Sequence, residues 1–196
     1  MGAAWRLCDA VAVELDRLEG ALVAARQGDE AAIGKLFAAF QPLLLRFLRR
    51  QAPRVAEDLA AETWLALARQ LPSVVGQVAD FRALLFTVAR RRVVDHYRAE
   101  GRRPASRPLE ASDDRSGGDD PSETVVDQLS AQQAIDQLVG GLPPAQAEVV
   151  LLRVVAGLSV EETAAVIERS PGAVRVLQHR ALRRLAGQLA ADGVTP

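Results

Sequence analysis

Catalysis needs side chains that attack, ligate or move protons, and this chain of 196 residues holds only two histidines, one cysteine and one tyrosine. Asp58 and Glu62 form the most suggestive pair of acids. Four residues apart, they share one face of a helix, and paired carboxylates can ligate a metal or divide acid and base work. No histidine or third acid shares that face, so neither a metal site nor an acid–base pair is assigned. Leu59, Thr63 and Trp64 lie close by. The face is then either plain solvated acid or a docking surface for a basic partner helix, with Trp64 as its apolar anchor. A lone Cys8 rules out an internal disulfide and any cysteine-based zinc site, and no glycine-rich phosphate loop is present. No catalytic residue, metal or cofactor is expected.

The second chemical resource is arginine. From Arg82 to Arg107 there are eight arginines against Asp95 and Glu100, including Arg90, Arg91, Arg98 and Arg102, with His96 and Tyr97 interleaved. Cations beside a ring that can stack suit single-stranded or melted nucleic acid. The plainer reading is a helix C-terminus whose arginines complement the macrodipole, but the excess is long for that. From Arg169 to Arg184 there are five more arginines and no acid.

That last stretch lies within two successive helix starts. Ser159 followed by Glu162 makes a capping box, and Ser170 followed by Pro171 supplies a hydroxyl cap and a pre-set φ. A short helix over Val160–Ile167, a Glu168-Arg169 connection and a second helix give the layout of a helix-turn-helix. In the second helix Val174, Leu177, Ala181 and Leu185 form a buried stripe at steps of three and four. Gly172, Arg175, Val176, His179 and Arg183 turn the other way, with Ala173 and Arg180 beside them. A positive outer face whose start offers free N–H groups is suited to phosphates and then base edges.

Positioning these groups falls to helices. Hydrophobic residues make up 49% of the chain and aromatics only 4%, so the core is built of Ala, Leu and Val without long β-branched alternation. Residues 3–26 carry an amphipathic stripe through Leu7, Val11, Leu15, Leu18 and Leu22. Asp29 caps the next pattern, 31–50, in which Pro42 predicts a kink or restart. A third helix spans 56–71. A loop covers 72–80, and a fourth helix starts at Phe81 and ends near Arg102. Its front half is apolar nearly all round and expected to be buried. After the acidic stretch described below come a helix over 125–139, another from Leu142-Pro143-Pro144 to about Ala156, and the helix-turn-helix. The tail after Gly187 is expected to fray into Asp192-Gly193.

Net charge is −1, but the charge is segregated. Pro104–Glu123, rich in proline, glycine and acid, cannot bury a core and reads as a flexible linker. Between Pro108 and Asp136 eight acids face one arginine. No apolar run approaches the roughly 20 residues that span a bilayer, and the N-terminus lacks a basic start with an apolar signal core. A cytoplasmic protein without membrane contact is expected.

AEDLAAETWLALAR, FRALLFTVARRRVVDHYR and LPPAQAEVVLLRVVAGLSVEETAAVIERSPGAVRVLQHRALRRL, in this order, resemble the extracytoplasmic-function sigma factors of the bacterial sigma-70 family, over about residues 28–189. The resemblance implies an all-α fold of two small helical domains joined by a flexible acidic linker. The extension would be 1–27, a region 2-like domain 28–103, the linker 104–124, a region 4-like helix-turn-helix domain 125–190 and a tail 191–196. It implies that Asp58, Leu59, Glu62, Thr63 and Trp64 dock on core RNA polymerase, which presents its β′ and β subunits. Arg82, Arg90, Arg91, Asp95, His96, Tyr97, Arg98 and Arg102 would recognise and open the −10 promoter element, the loop before Phe81 capturing a flipped base. Ser170, Pro171, Gly172, Ala173, Arg175, Val176, His179, Arg180 and Arg183 would read the −35 element. Members are often held by an anti-sigma factor. The family often has Trp at Leu84, Asn at Arg91 and a GTV-K-S-R run where Gly172–Leu177 stand, a difference that bears on the −35 sequence and not on the class. The rival readings are a helix-turn-helix regulator that acts as a dimer without polymerase, and an enzyme with an incidental helix-turn-helix.

Overall fold

The computed structural model describes residues 18–101 and 139–191. The acidic linker, Arg102, the stripe at Leu7, Val11 and Leu15, and all but the end of the expected helix over 125–139 lie outside the described residues. Every regular element among those described is helical, as the composition requires.

Helix α1, residues 18–26, ends before Gly28, whose φ of +88° suits glycine. Asp29 then accepts from Ala32 N–H at 2.9 Å and caps α2, Glu30–Gln51. The helix runs through Pro42 without the restart the sequence suggests. Burying Phe40, Leu44, Phe47 and Leu48, at about 1.5–3 kcal/mol each, outweighs the roughly 3 kcal/mol that an interior proline costs. By length and composition α2 is long and apolar enough to cross a membrane, which corrects the expectation that no run comes near that threshold. Its apolar stripe is spent on the protein's own core.

A 3-10 turn, Pro53–Val55, leads to α3, Ala56–Gln70, and a second, Leu71–Ser73, leads to a short loop. Helix α4, Val78–Ala99, starts three residues before Phe81 because Gln77 and Asp80 form a reciprocal capping box that carries the helix back to Val78. It stops before Gly101, at φ +69°. Phe81 and Phe86 of α4 meet Phe40 and Phe47 of α2 at ring separations of 5.7 and 5.6 Å.

In the second unit α5, Pro144–Val150, continues as a π-turn over Leu151–Val155. Gly157, at φ +70°, turns the chain into α6, Val160–Ile167, and α7, Pro171–Ala191, completes the unit. Helix α7 passes through Gly187 to Ala191, and Asp192-Gly193, where fraying is expected, lie outside the described residues. One glycine costs about 1 kcal/mol against alanine, and Ala186, Ala190 and Ala191 around it are the strongest helix formers.

The two units share one continuous buried cluster running from Leu18 to Ala181. Helix α4 lies against α6, and α2 against α5. Arg50 Nη2 crosses the junction to donate to Leu142 O at 3.0 Å.

Candidate functional site

Helix α3 places Asp58 and Glu62 on its exposed face. Leu59 and Thr63 turn inward and are buried, Thr63 donating its hydroxyl to Leu59 O at 2.6 Å. They hold the helix on the core and offer a partner little surface. Trp64 is half-buried. Its Nε1 donates to Gln41 Oε1 at 2.6 Å, and its ring lies 5.1 Å from Phe37 and 6.5 Å from Phe81. These rings border an apolar groove completed by Ile33, Leu65 and Ala68. Leu65 is 62% exposed and Phe37 43%. Neither residue stands out as surface in the sequence. Phe37 sits one residue off the buried Leu36–Phe40–Leu44 stripe, and Leu65 three after Glu62 on the outer face, so helical phase carried the signal.

Helix α4 divides its arginines. Arg82 is 5% exposed, and its Nε and Nη1 find no hydrogen-bond acceptor among the described residues. Burial lowers its pKa, which Glu162 of α6 partly opposes. In this arrangement Arg82 faces the helix-turn-helix unit and not solvent. Arg90 Nε donates to Glu148 Oε1 of α5 at 3.1 Å. Arg91 is exposed, as are Asp95 and Arg98, which pair at 3.5 Å. Arg92 lies 3.8 Å from Glu62, linking the rear of α4 to the acidic face of α3. His96 and Tyr97 pack edge-on at 5.3 Å, and Tyr97 donates its hydroxyl to Gln51 O at 2.8 Å. The tyrosine is thus anchored on α2.

The helix-turn-helix forms from the caps its sequence announces. Ser159 Oγ accepts from Glu162 N–H at 3.0 Å, and the Glu162 carboxylate accepts from Ser159 N–H. Glu168 adopts a left-handed φ of 55° and turns the chain. Ser170 Oγ accepts from Ala173 N–H at 3.2 Å, opening α7. Val174 and Ala181 are fully buried, with Leu177 and Leu185 partly so. Ser170, Pro171, Gly172, Arg175, Val176, His179, Arg180 and Arg183 are all exposed, and Ala173 is intermediate. One face of α7 therefore fixes the helix while the rest presents cations with two exposed apolar side chains, Val176 and Leu182, among them. Arg175 Nη2 pairs with Glu161 Oε1 of α6 at 3.0 Å.

Comparison with known proteins accords with this geometry. The family described as Sigma-70 region 2 matches residues 36–103, and Sigma-70, region 4 matches residues 132–185. The ECF RNA polymerase sigma factor SigD of Mycobacterium tuberculosis is 35% identical over 184 residues, covering 91% of this chain and 86% of that protein. The ECF RNA polymerase sigma factor ShbA of Streptomyces griseus is 39% identical over 178 residues, covering 85% and 92%. Among solved structures, that of CnrH in complex with the cytosolic domain of CnrY shares the fold at a TM-score of 0.55 and 24% identity, covering 89% of this chain and 97% of that one. Two capped helical units in this order, with relatives of one kind along almost the full length, establish that the chain belongs to the ECF sigma factors of the sigma-70 family.

Proposed function

We propose that the two units divide promoter recognition as follows. The exposed acids Asp58 and Glu62, with Trp64 and the groove beside Phe37 and Leu65, dock on a basic helical element of core RNA polymerase. The arginine-rich rear of α4, with His96 and Tyr97, engages the −10 element and stabilises its opened strand. Helix α7 enters the major groove at the −35 element, with Arg175 and Val176 towards bases and Arg180 and Arg183 towards phosphates. The polymerase carries out nucleotidyl transfer. This chain supplies binding energy that offsets the unstacking of a few base pairs.

The observation that carries the reading is α7. A buried stripe at Val174 and Ala181 locks it in place, while every residue of the expected base-reading set except Ala173 is exposed. CnrH is known in complex with the cytosolic domain of CnrY, and an anti-sigma partner of this chain would compete for the same apolar groove and cationic faces. The domain limits proposed from the sequence, 28–103 and 125–190, accompany this division of labour.

The test is reconstitution. The purified chain added to bacterial core RNA polymerase should co-elute with it and initiate transcription from a genomic promoter library. Tight duplex binding by a dimer, with no association with core, would instead favour a regulator that works without polymerase.

A further inference from the structure

Val74, Val75, Gly76 and Gln77 connect the Leu71–Ser73 turn to α4, and the backbone there is held by side chains from far away in the chain. Gly76 has φ +102°, and a Cβ on it would come 2.2 Å from Asp80 Oδ2, so the turn takes glycine. Two side chains of α1 grip the segment. Glu19 Oε1 accepts from Val78 N–H at 2.9 Å, and Arg26 Nη2 donates to Gly76 O.

Both contacts follow from elementary needs. Val78 N–H is one of the first amides of α4, which have no partner within the helix. Glu19 therefore acts as a cap supplied from 59 residues earlier, and its charge complements the positive end of the helix dipole. Glu19 and Arg26 are seven residues apart, so they lie on one face of α1, about 10 Å from each other along its axis. Their grips bracket Gln77. Outside the grip stands Val75, 88% exposed, an aliphatic side chain of the kind that packs on an unstacked base.

We propose that α1, through Glu19 and Arg26, holds loop 74–77 in the shape that selects an unpaired base of the −10 element, with Val75 as its apolar contact. This rests on the assignment of α4 to the −10 element made above. Glu19 and Arg26 are positioning residues that act through the backbone of Val78 and Gly76. A loop fixed at two points has its ordering cost met before DNA arrives and favours one base shape. Released, it would accept several.

The experiment uses the full chain with core RNA polymerase, transcribing a library with a fixed −35 element and a randomised −10 element. Transcript sequencing reads base preference, alongside core affinity and melting temperature. E19A and R26A should each lose about fivefold or more of the discrimination at one −10 position, the low end of what a single read base carries, with core affinity unchanged. E19Q keeps an oxygen for Val78 N–H and R26K keeps a donor for Gly76 O, so both should retain the wild-type preference. An unchanged preference profile in both alanine variants overturns the inference and leaves the sigma-factor reading standing, whether or not they melt lower. Should E19A fail to assemble with core, R26A decides alone. A wild-type holoenzyme with no preference at any −10 position would overturn the −10 assignment, and this inference with it.

Discussion

Arg90 Nε donates to Glu148 Oε1 at 3.1 Å, tying the arginine-rich helix of the first unit to α5 of the second. Burial pushes the Glu148 carboxyl above the usual carboxylate range, and Arg90 and then Arg169 offset only part of that. The folded chain therefore keeps the Glu148 proton to higher pH than the unfolded chain does. The stability linked to that proton is fully present below the ordinary carboxylate pKa and is lost as pH rises through the raised one. Glu148→Gln retains an oxygen for Arg90 and removes the charge. It should melt above wild type at neutral pH, with the gap closing as pH falls towards the ordinary carboxylate range. Thermal melts across pH measure this, and a lower melting temperature for the variant at neutral pH would mean that the charged pair outweighs its burial.

Much of this was legible in the sequence because it is local. The Ser159–Glu162 box, the Ser170 cap and the 3.6-residue stripe through Val174 and Ala181 each depend on residues a turn or two apart, and the structure repeats them at the same positions. What the sequence hid is what crosses between elements. Arg82 reads as a member of a cationic face, yet it lies buried opposite Glu162, a neighbour 80 residues away that no periodicity reveals. The same holds for Glu19 on Val78 and for the groove between Phe37 and Leu65, which exists only once α2 and α3 are packed. The start of α4 is hidden for a smaller reason. Gln77 is a rarer cap than serine or aspartate, and Asp80 looks like loop until its reciprocal bond is seen.

The junction that hides Arg82 also predicts how the chain without polymerase responds to charge. Glu148→Arg puts a second cation within reach of Arg90 and replaces attraction with repulsion at a site only partly open to water. The units should separate, with a larger hydrodynamic radius than wild type. Binding of a single-stranded −10 oligonucleotide should strengthen, and its salt dependence should steepen by about 0.7 in log–log slope for each phosphate newly contacted by Arg82 or Arg90. A salt slope identical to wild type would show that neither arginine gains access to nucleic acid.

Leu65 offers a clean probe of the α3 face. At 62% exposed, its side chain contributes little to the core, while it borders the groove beside Trp64 and Phe37. Leu65→Asp should leave the melting temperature within about 1–2 °C of wild type, as a surface change within about 0.5 kcal/mol would. Affinity for core polymerase should fall by about tenfold or more, the loss of one apolar anchor at an interface centre. Duplex binding at the −35 element should not change. Equal losses in both assays would place the effect in folding, not in docking.

Under the proposed division of roles on α7, Arg175 is the residue on which base reading at the −35 element can be told from phosphate binding. It is exposed and pairs at 3.0 Å with Glu161, itself exposed. Such a surface pair contributes about 0–1 kcal/mol to stability, so removing it tests recognition and not folding. Held by Glu161 from the preceding helix, the guanidinium stands one turn into α7, where a helix entering the major groove presents side chains to base edges. Arg175→Ala should cost about 1–3 kcal/mol on the preferred −35 sequence and relax the preference there. Arg183→Ala, two turns further on, should weaken binding evenly across sequences and lower the salt slope by about 1. Titrations of both variants on preferred and scrambled −35 duplexes at several salt concentrations distinguish the two roles. An even loss for Arg175→Ala would assign it to phosphate and leave Val176 and His179 as the exposed side chains nearest the bases.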